Sequence, residues 1–227
     1  MKQALHDIAY HHMLDLILSG QLKYGDKICE QDIVDRLGIS RTPVREAIRR
    51  LASDGILDFY PSRYANVHTF SPQEQLDHGI LRIATDSIAA QLAIFNGSNR
   101  DFQAMLVIAN HCEEAALRQD FNGQLKYDAE FHNKLVELSG NAELIHIQHR
   151  LSLRSCLLHI QSYLINHTNF CEPVGHFDIV NALMERDVDA CLLAIRTHLQ
   201  KFYVNLSNDA TAVNIANVNI ELPFYSI

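Results

Sequence analysis

The residues of this sequence with the most evident chemistry are its arginines. Five of them fall within residues 36–50, where the only acidic residue is Glu46. A guanidinium group can donate paired hydrogen bonds to guanine O6 and N7, and it also binds phosphate oxygens. This concentration of positive charge indicates a nucleic-acid contact, and the alternative is an ordinary solvated helix face.

A second set of residues could bind a metal ion. Asp128 and His132 are spaced i and i+4 in "YDAEFHNKLV", so they share one helix face, and His176 and His198 lie on two later predicted helices. One carboxylate and three imidazoles that converge inside a bundle would hold a divalent cation, zinc first, with nickel or manganese as alternatives. Each histidine could instead be a hydrogen-bonded core residue. Four other histidines are alternative candidates for metal ligands: His111, His146, His149 and His159.

The arginines belong to a predicted helix–turn–helix. Gly38 ends a helix over residues 30–37, where a left-handed residue is useful. Thr42 and Pro43 predict the N-cap and first residue of the next helix. That helix has a stripe of apolar positions that we expect to be buried: Val44, Ala47, Ile48 and Leu51. Burial of this stripe leaves Thr42, Arg45 and Arg49 together on the opposite face.

Flanking segments complete the outline of a winged helix–turn–helix. A helix is predicted over residues 5–19, before the helix–turn–helix. After it, "GILDFY" and "ANVHTF" predict two short strands joined at "PSRY". Residues 1–70 are therefore predicted to form one domain, with the hairpin as its wing.

From Ser71 onward the sequence predicts an all-α bundle without strands. Its predicted helices number six: 72–95, 99–118, 122–139, 142–166, 173–185 and 187–207. Between two of them, Gly140 can end one helix in the left-handed conformation while Asn141 caps the next. The predicted fold class is mainly α, with the bundle over residues 71–207 and a tail of unassigned role over 208–227.

Composition and charge restrict the partners. The net charge is −8, yet residues 1–70 hold nine basic and nine acidic side chains, while residues 71–227 hold ten and eighteen. A polyanion would therefore meet a local basic patch. No apolar run approaches the ~18 residues of a membrane span, and the start shows no secretion signal. Five scattered cysteines without a C-x-x-C pair indicate reduced thiols and a cytoplasmic protein.

The segment "GDKICEQDIVDRLGISRTPVREAIRRLASDGIL" closely resembles the DNA-binding domain of the GntR family, which carries the run S-R-T-P-V-R-E-A. The resemblance covers residues 5–70. It implies that Thr42 lies near the operator backbone. It also implies arginine contacts with operator phosphates and guanines: Arg36, Arg41, Arg45 and Arg49.

The wing matches the family pattern only in part. Family members normally carry an arginine followed by a glycine at the wing tip, which reaches the minor groove. Arg63 fits this pattern, whereas Tyr64 stands in place of the glycine. The resemblance therefore implies a DNA contact for Arg63 and leaves the effect of Tyr64 open.

The bundle is similar to the FCD domain, the ligand-binding half of FadR-type GntR regulators, and its six helices suggest the VanR-like branch. The family order of D-x-x-x-H, S-G-N and two later histidines recurs over residues 128–198. The resemblance implies a metal site with four ligands: Asp128, His132, His176 and His198.

Arg82 matches an arginine of the first bundle helix that, in the family, faces the cavity and can pair with an effector carboxylate. The alternative is a surface salt bridge with Asp86, four residues later on the same helix. The family often has Glu where Asp86 stands.

Together these features predict a sequence-specific regulator of transcription, with repression as the default, and not an enzyme. One short helix reads only a few base pairs, so a homodimer on a palindromic operator in double-stranded DNA is expected. The predicted effector is a small organic acid bound at the metal site. One alternative is the same regulator without metal, binding a larger effector such as an acyl-CoA. Another is a metal-dependent enzyme on the bundle, although no H-E-x-x-H, duplicated E-x-x-H or nucleophile motif is present.

Overall fold

The structure is a computed structural model that describes residues 4–61, 64–166 and 175–205. These residues form two compact units. The first comprises the chain up to Phe70 together with Cys156–Gln161, and the second comprises Ser71–Ser155 and the described residues after Gln161. The first unit thus includes Cys156–Gln161, a segment that the sequence predicted to belong to the bundle.

The first unit contains three helices and a two-stranded hairpin. In chain order these are α1 (Leu5–Leu18), α2 (Glu30–Leu37), α3 (Arg41–Ser53), β1 (Leu57–Tyr60) and β2 (Tyr64–Val67). The strands are antiparallel, with Leu57 opposite Val67 and Tyr60 opposite Tyr64. The structure therefore confirms the predicted order of helix, helix–turn–helix and hairpin.

The turn between α2 and α3 differs from the prediction at one point. Gly38 is left-handed, with φ of 63°, as expected for the end of α2. However, α3 begins at Arg41 with Ser40 as its N-cap, so the predicted cap at Thr42 is wrong. Pro43 is the third helical residue, and it fits there because the first four N–H groups of a helix have no intrahelical acceptor.

The core of this unit forms where α3 packs against α1. The predicted apolar stripe of α3 is buried: Val44, Ala47, Ile48 and Leu51. At the edge of this core, the buried Tyr10 donates a hydrogen bond through Oη to Asp54 Oδ2 at 2.8 Å. Arg50 lies over the Tyr10 ring, 4.3 Å from its centroid, and pairs with Asp7 Oδ1 at 2.8 Å. Arg50 is thus held against α1.

The second unit confirms the predicted all-α bundle in its described residues. Its helices are α4 (Pro72–Asn96), α5 (Asn99–Leu117), α6 (Phe121–Leu138), α7 (Ala142–Asn166), α8 (His176–Glu185) and α9 (Val188–Asn205). The fifth bundle helix was predicted to start at residue 173 and the sixth to end at residue 207. Both of these positions, and the tail 208–227, lie outside the described residues. No helix of the described ranges is both long and apolar enough to cross a membrane.

Side-chain caps define where these helices begin. Ser71 and Glu74 form a capping box at α4, and Ser98 and Asp101 form another at α5. Before α7, Asn141 Oδ1 accepts from two backbone N–H groups, at 3.0 and 3.2 Å. Gly140 precedes it with φ of 65°, so the predicted left-handed turn and cap are confirmed.

The helix packing brings together the elements that carry the histidines. Helix α4 packs against α6 and α9, and α8 packs against α9 and α5. His132 lies on α6, His176 is the first residue of α8, and His198 lies on α9. The predicted metal site therefore requires that these three helices direct their histidines toward the interior of the bundle.

Candidate functional site

The outer face of α3 exposes the arginines predicted to contact DNA. Because the apolar stripe of α3 is buried, Arg41, Thr42, Arg45 and Arg49 are solvent-exposed. Arg36, in the last turn of α2, is also exposed. Arg63 lies outside the described residues.

Two of these arginines contact polar residues of α2. Arg45 Nε lies 2.8 Å from Glu30 Oε2, and Arg41 donates through NH2 to Gln31 Oε1 at 2.8 Å. Exposed ion pairs contribute at most about 1 kcal/mol, so they orient a guanidinium without preventing its transfer to a phosphate. The first turn of α2 therefore orients the start of the exposed face.

A groove of about 530 Å³ separates α3 from the hairpin. Arg45 and Arg49 line it from α3, and Tyr60 and Tyr64 line it from the strands. The two tyrosine rings lie 4.7 Å apart, and Lys27 Nζ is 4.6 Å from the Tyr64 ring centroid. Sequence reasoning identified Tyr64 but missed Tyr60 and Lys27, whose proximity depends on the strand register.

The four predicted metal ligands come together inside the second unit. One ligand atom from each lies within 4.8 Å of all the others: Asp128, His132, His176 and His198. Nε2 of His132 is 3.1 Å from Nε2 of His198, and Nε2 of His176 is 3.4 Å from Asp128 Oδ1. All four residues are buried, with at most 8% of their surface exposed. We refer to these four residues as the Asp–His cluster.

The chemistry of the Asp–His cluster fits a divalent metal ion. Both ring nitrogens of His176 are buried and make no hydrogen bond of normal geometry within the described residues. A buried polar atom without such a bond is costly, and a cation would satisfy it. Three imidazoles and one carboxylate are ligands that zinc accepts in tetrahedral geometry, and nickel and manganese accept them with added water.

Burial also favours the protonation state that binds metal. It lowers the pKa of His176, although Asp128 opposes this shift. Burial, together with the neighbouring His176 and His132, holds the pKa of His198 well below its usual range. The neutral imidazole, which carries the lone pair that ligates a metal, is therefore favoured at neutral pH.

Beside the Asp–His cluster lies a carboxylate that sequence reasoning did not connect with it. Asp86 is fully buried on α4, and its Oδ2 lies 2.7 Å from His132 Nδ1. The same oxygen lies 3.3 Å from Arg82 NH2. Burial alone would raise the pKa of Asp86, but Arg82 and His132 outweigh it, so this pKa is lowered.

Arg82 is buried beside this carboxylate. The i, i+4 pair with Asp86 is present, but it lies in the interior and not at the surface. Arg82 also donates through NH1 to Gln148 Oε1 at 3.2 Å, and Gln148 donates to Asn133 Oδ1 at 3.0 Å. The guanidinium therefore joins α4 to α7, and through Asn133 to α6.

The alternative histidines do not join the Asp–His cluster. Within the described residues, the group that could hold a metal consists of the four predicted ligands. Three of the other candidates are exposed: His111, His146 and His149. His159 is buried elsewhere.

The first unit is a helix–turn–helix with an exposed arginine face and a hairpin wing, and the second is an all-α unit with a buried polar centre. This combination is typical of one class of protein, the DNA-binding transcriptional regulators. Comparison with known proteins identifies the family. Residues 5–63 match "Bacterial regulatory proteins, gntR family", and residues 81–201 match the FCD domain. The chain belongs to the GntR family and carries an FCD domain.

Curated relatives agree with this assignment. The Nta operon transcriptional regulator of Aminobacter aminovorans is 27% identical over 197 residues, which cover 83% of this chain and 88% of that protein. The HTH-type transcriptional repressor RspR of Escherichia coli K12 is 25% identical over 181 residues, 78% of each chain. The family and these relatives are regulators of transcription, so this chain is a transcriptional regulator and not an enzyme.

Solved structures share the fold. The E. coli protein McbR/YncC superposes with a TM-score of 0.75 at 20% identity, covering 90% of this chain and 98% of that one. A putative GntR regulator from Rhodococcus sp. RHA1 superposes with a TM-score of 0.72 at 19% identity, covering 88% and 96%. These likenesses confirm the predicted fold class.

Proposed function

We propose that this regulator is a cytoplasmic repressor that binds a palindromic operator as a homodimer and responds to a small carboxylate. The observation that carries the DNA part is the exposed arginine face of α3, with its apolar stripe buried against α1. Two copies of α3 would read two half-sites of duplex DNA, because one helix reaches only a few base pairs.

In this proposal different arginines contact different parts of the DNA. Arg45 and Arg49, one helical turn apart, enter the major groove, and Arg36 and Arg41 bind phosphates beside it. Thr42 lies near the backbone. Arg63, from the wing, is assigned the minor groove on the family pattern.

The Asp–His cluster is proposed to hold a divalent metal ion, with zinc as the first candidate. Asp128 and the three histidines would be its protein ligands. Because four protein ligands would complete a tetrahedral zinc site, an anionic effector would have to bind as an additional ligand, which nickel and manganese allow with their larger coordination numbers. Arg82 is proposed to assist, because a guanidinium has five N–H donors and can hold Asp86 while it also attracts a carboxylate. The effector acts by binding one dimer geometry more tightly than the other.

The DNA part is tested with Arg45→Ala on a labelled duplex from the region upstream of the gene. Fluorescence anisotropy is expected to show binding weakened by about 1–3 kcal/mol, the range for loss of a good base contact. Arg118→Ala is the matched control, because Arg118 is an exposed arginine at the C-cap of α5 with a loose partner, Glu114, at 3.7 Å. Unchanged affinity of Arg45→Ala would contradict the assignment of this face.

The metal part is tested on stripped full-length protein. Added zinc is expected to raise the melting temperature, because an ion that binds only the folded state stabilises it. His176→Ala should lose this increase, each variant being compared with its own metal-free form, and His146→Ala, an exposed histidine, should keep it. If wild type shows no shift and elemental analysis finds no metal, the larger metal-free effector becomes the better hypothesis.

A further inference from the structure

His132 is the cluster histidine whose two ring nitrogens face different partners. Its Nε2 lies 3.1 Å from Nε2 of His198 and 3.7 Å from Asp128 Oδ1, inside the Asp–His cluster. Its Nδ1 lies 2.7 Å from Asp86 Oδ2, outside the cluster, a short polar contact whose angle falls outside the normal hydrogen-bond range. A neutral imidazole has one N–H and one lone pair, so an acceptor at Nδ1 selects the tautomer whose lone pair is at Nε2.

Asp86 is itself held in place. It comes from α4, a helix that supplies none of the four cluster residues, and it is fully buried. Arg82, one turn earlier on α4, lies 3.3 Å from Asp86 and donates to Gln148 on α7. A buried carboxylate is tolerated when a cation compensates it. Arg82 supplies that compensation, and the Gln148 contact fixes the guanidinium from a second helix.

We propose that Asp86 is a positioning residue of the metal centre, which accepts the Nδ1 proton of His132 and so directs Nε2 toward the cation. Arg82 is the counterion that positions Asp86. This inference rests on the proposed metal site and adds two residues to it that do not touch the ion. Outer carboxylates of this kind typically change metal affinity 10- to 100-fold.

The test is metal binding by the full-length protein, measured with Co²⁺ as the probe in competition with a chelator. Asp86→Asn keeps the size of the side chain and removes its charge. We expect its Co²⁺ affinity to fall 10- to 100-fold and the visible absorption of bound Co²⁺ to change, because the orientation of one ligand is relaxed. Asp86→Glu restores the carboxylate and should recover part of the affinity, which a purely structural role would not predict.

Two controls separate positioning from folding. Asp77→Asn removes an exposed carboxylate from the same helix and should leave both affinity and spectrum unchanged. Because Asp86→Asn removes the carboxylate that faces Arg82 at 3.3 Å, the double variant Arg82→Gln/Asp86→Asn removes both charges together. It should show the same 10- to 100-fold loss while circular dichroism reports an intact fold.

The outcomes distinguish this inference from the proposed function. If wild-type protein does not bind Co²⁺, the metal site itself is wrong. If wild type binds Co²⁺ and the Asp86 variants bind with the same affinity and spectrum, the metal site stands and the positioning role is overturned. If Asp86→Asn is unfolded, the double variant decides by the same criterion.

Discussion

At the scale of single residues, arginines close together in sequence serve different purposes. Arg50 lies against the Tyr10 ring and pairs with Asp7 of α1, whereas Arg45 points outward and contacts Glu30 of α2. A count of charges over residues 36–50 therefore overstates the basic patch, because acidic partners come from other elements. Arg49 lines the groove beside the hairpin, and our proposal assigns it to the major groove of the operator.

Gly79, in the middle of α4, gives a prediction at this scale. A Cβ atom there would lie 2.6 Å from Tyr203 Cγ, and Tyr203 is buried. Helix propensity alone favours Gly→Ala by up to about 1 kcal/mol, but overpacking of a core costs about 1–3 kcal/mol. We expect Gly79→Ala to destabilise the protein, as measured by chemical denaturation.

The background variant Tyr203→Ala is the control for that experiment. It removes the ring that the new Cβ would meet, so Gly79→Ala should cost much less in its presence. Equal costs in the two backgrounds would show that the close approach of α4 and α9 is not the cause.

At the scale of elements, the contact between α1 and α3 positions the arginine face. Tyr10 is buried, and burial, followed by its hydrogen bond to Asp54, raises the pKa of its hydroxyl. Tyr10→Phe deletes this hydroxyl and leaves the part-buried Asp54 carboxylate without its donor. Loss of a hydrogen bond to a charged group predicts destabilisation by about 1–2 kcal/mol, measured by urea denaturation.

Tyr163→Phe is the matched control for Tyr10→Phe, because Tyr163 is exposed and stacks on Phe121. Its stability should stay within a few tenths of a kcal/mol of wild type. Similar losses for both variants would mean that the Tyr10–Asp54 bond has no special role in docking α3.

Most of the helices were predictable from the sequence, because helical periodicity and caps are local patterns. Helical periodicity and caps such as Asn141 gave the bundle helices to within a few residues at their described ends. The start of α3 was mispredicted because Thr42 is a favourable N-cap and Pro43 a favourable first residue, yet both are also tolerated as the second and third residues of the first turn. Local preference could not distinguish these two registers.

The candidate metal site likewise contains residues that the sequence predicts and one that only the helix packing reveals. Asp128 and His132 share a helix face, a relation visible in sequence, and His176 and His198 followed from the family order. Asp86 lies 46 residues before His132, and only the packing of α4 on α6 brings their atoms to 2.7 Å. No rule of sequence spacing predicts such a contact, so the carboxylate beside the Asp–His cluster could be identified only from the structure.

At the scale of the whole molecule, the charge is divided between the two units. Residues 1–70 are balanced, whereas residues 71–227 hold ten basic and eighteen acidic side chains. Phosphate contacts by the arginine face should then dominate affinity, and the acidic remainder would resist non-specific binding.

This division predicts a steep salt dependence of DNA binding. Each neutralised phosphate contributes about −0.9 to the slope of log K against log salt, so the two phosphate-binding arginines in each of two chains predict a slope of about −4. Anisotropy titrations at several salt concentrations measure it. A slope near zero would argue against these arginines as the contact surface.

The burial of the Asp–His cluster has a kinetic consequence. At most 8% of the surface of any ligand residue is exposed, so the centre offers little area for direct collision with a cation or an anion. We expect entry to depend on transient local opening of the bundle, which would hold the arrival rate well below the diffusion limit. Stopped-flow mixing with Co²⁺ should show a rate that saturates as its concentration rises, so the regulator would respond to sustained levels of its signal and ignore brief pulses.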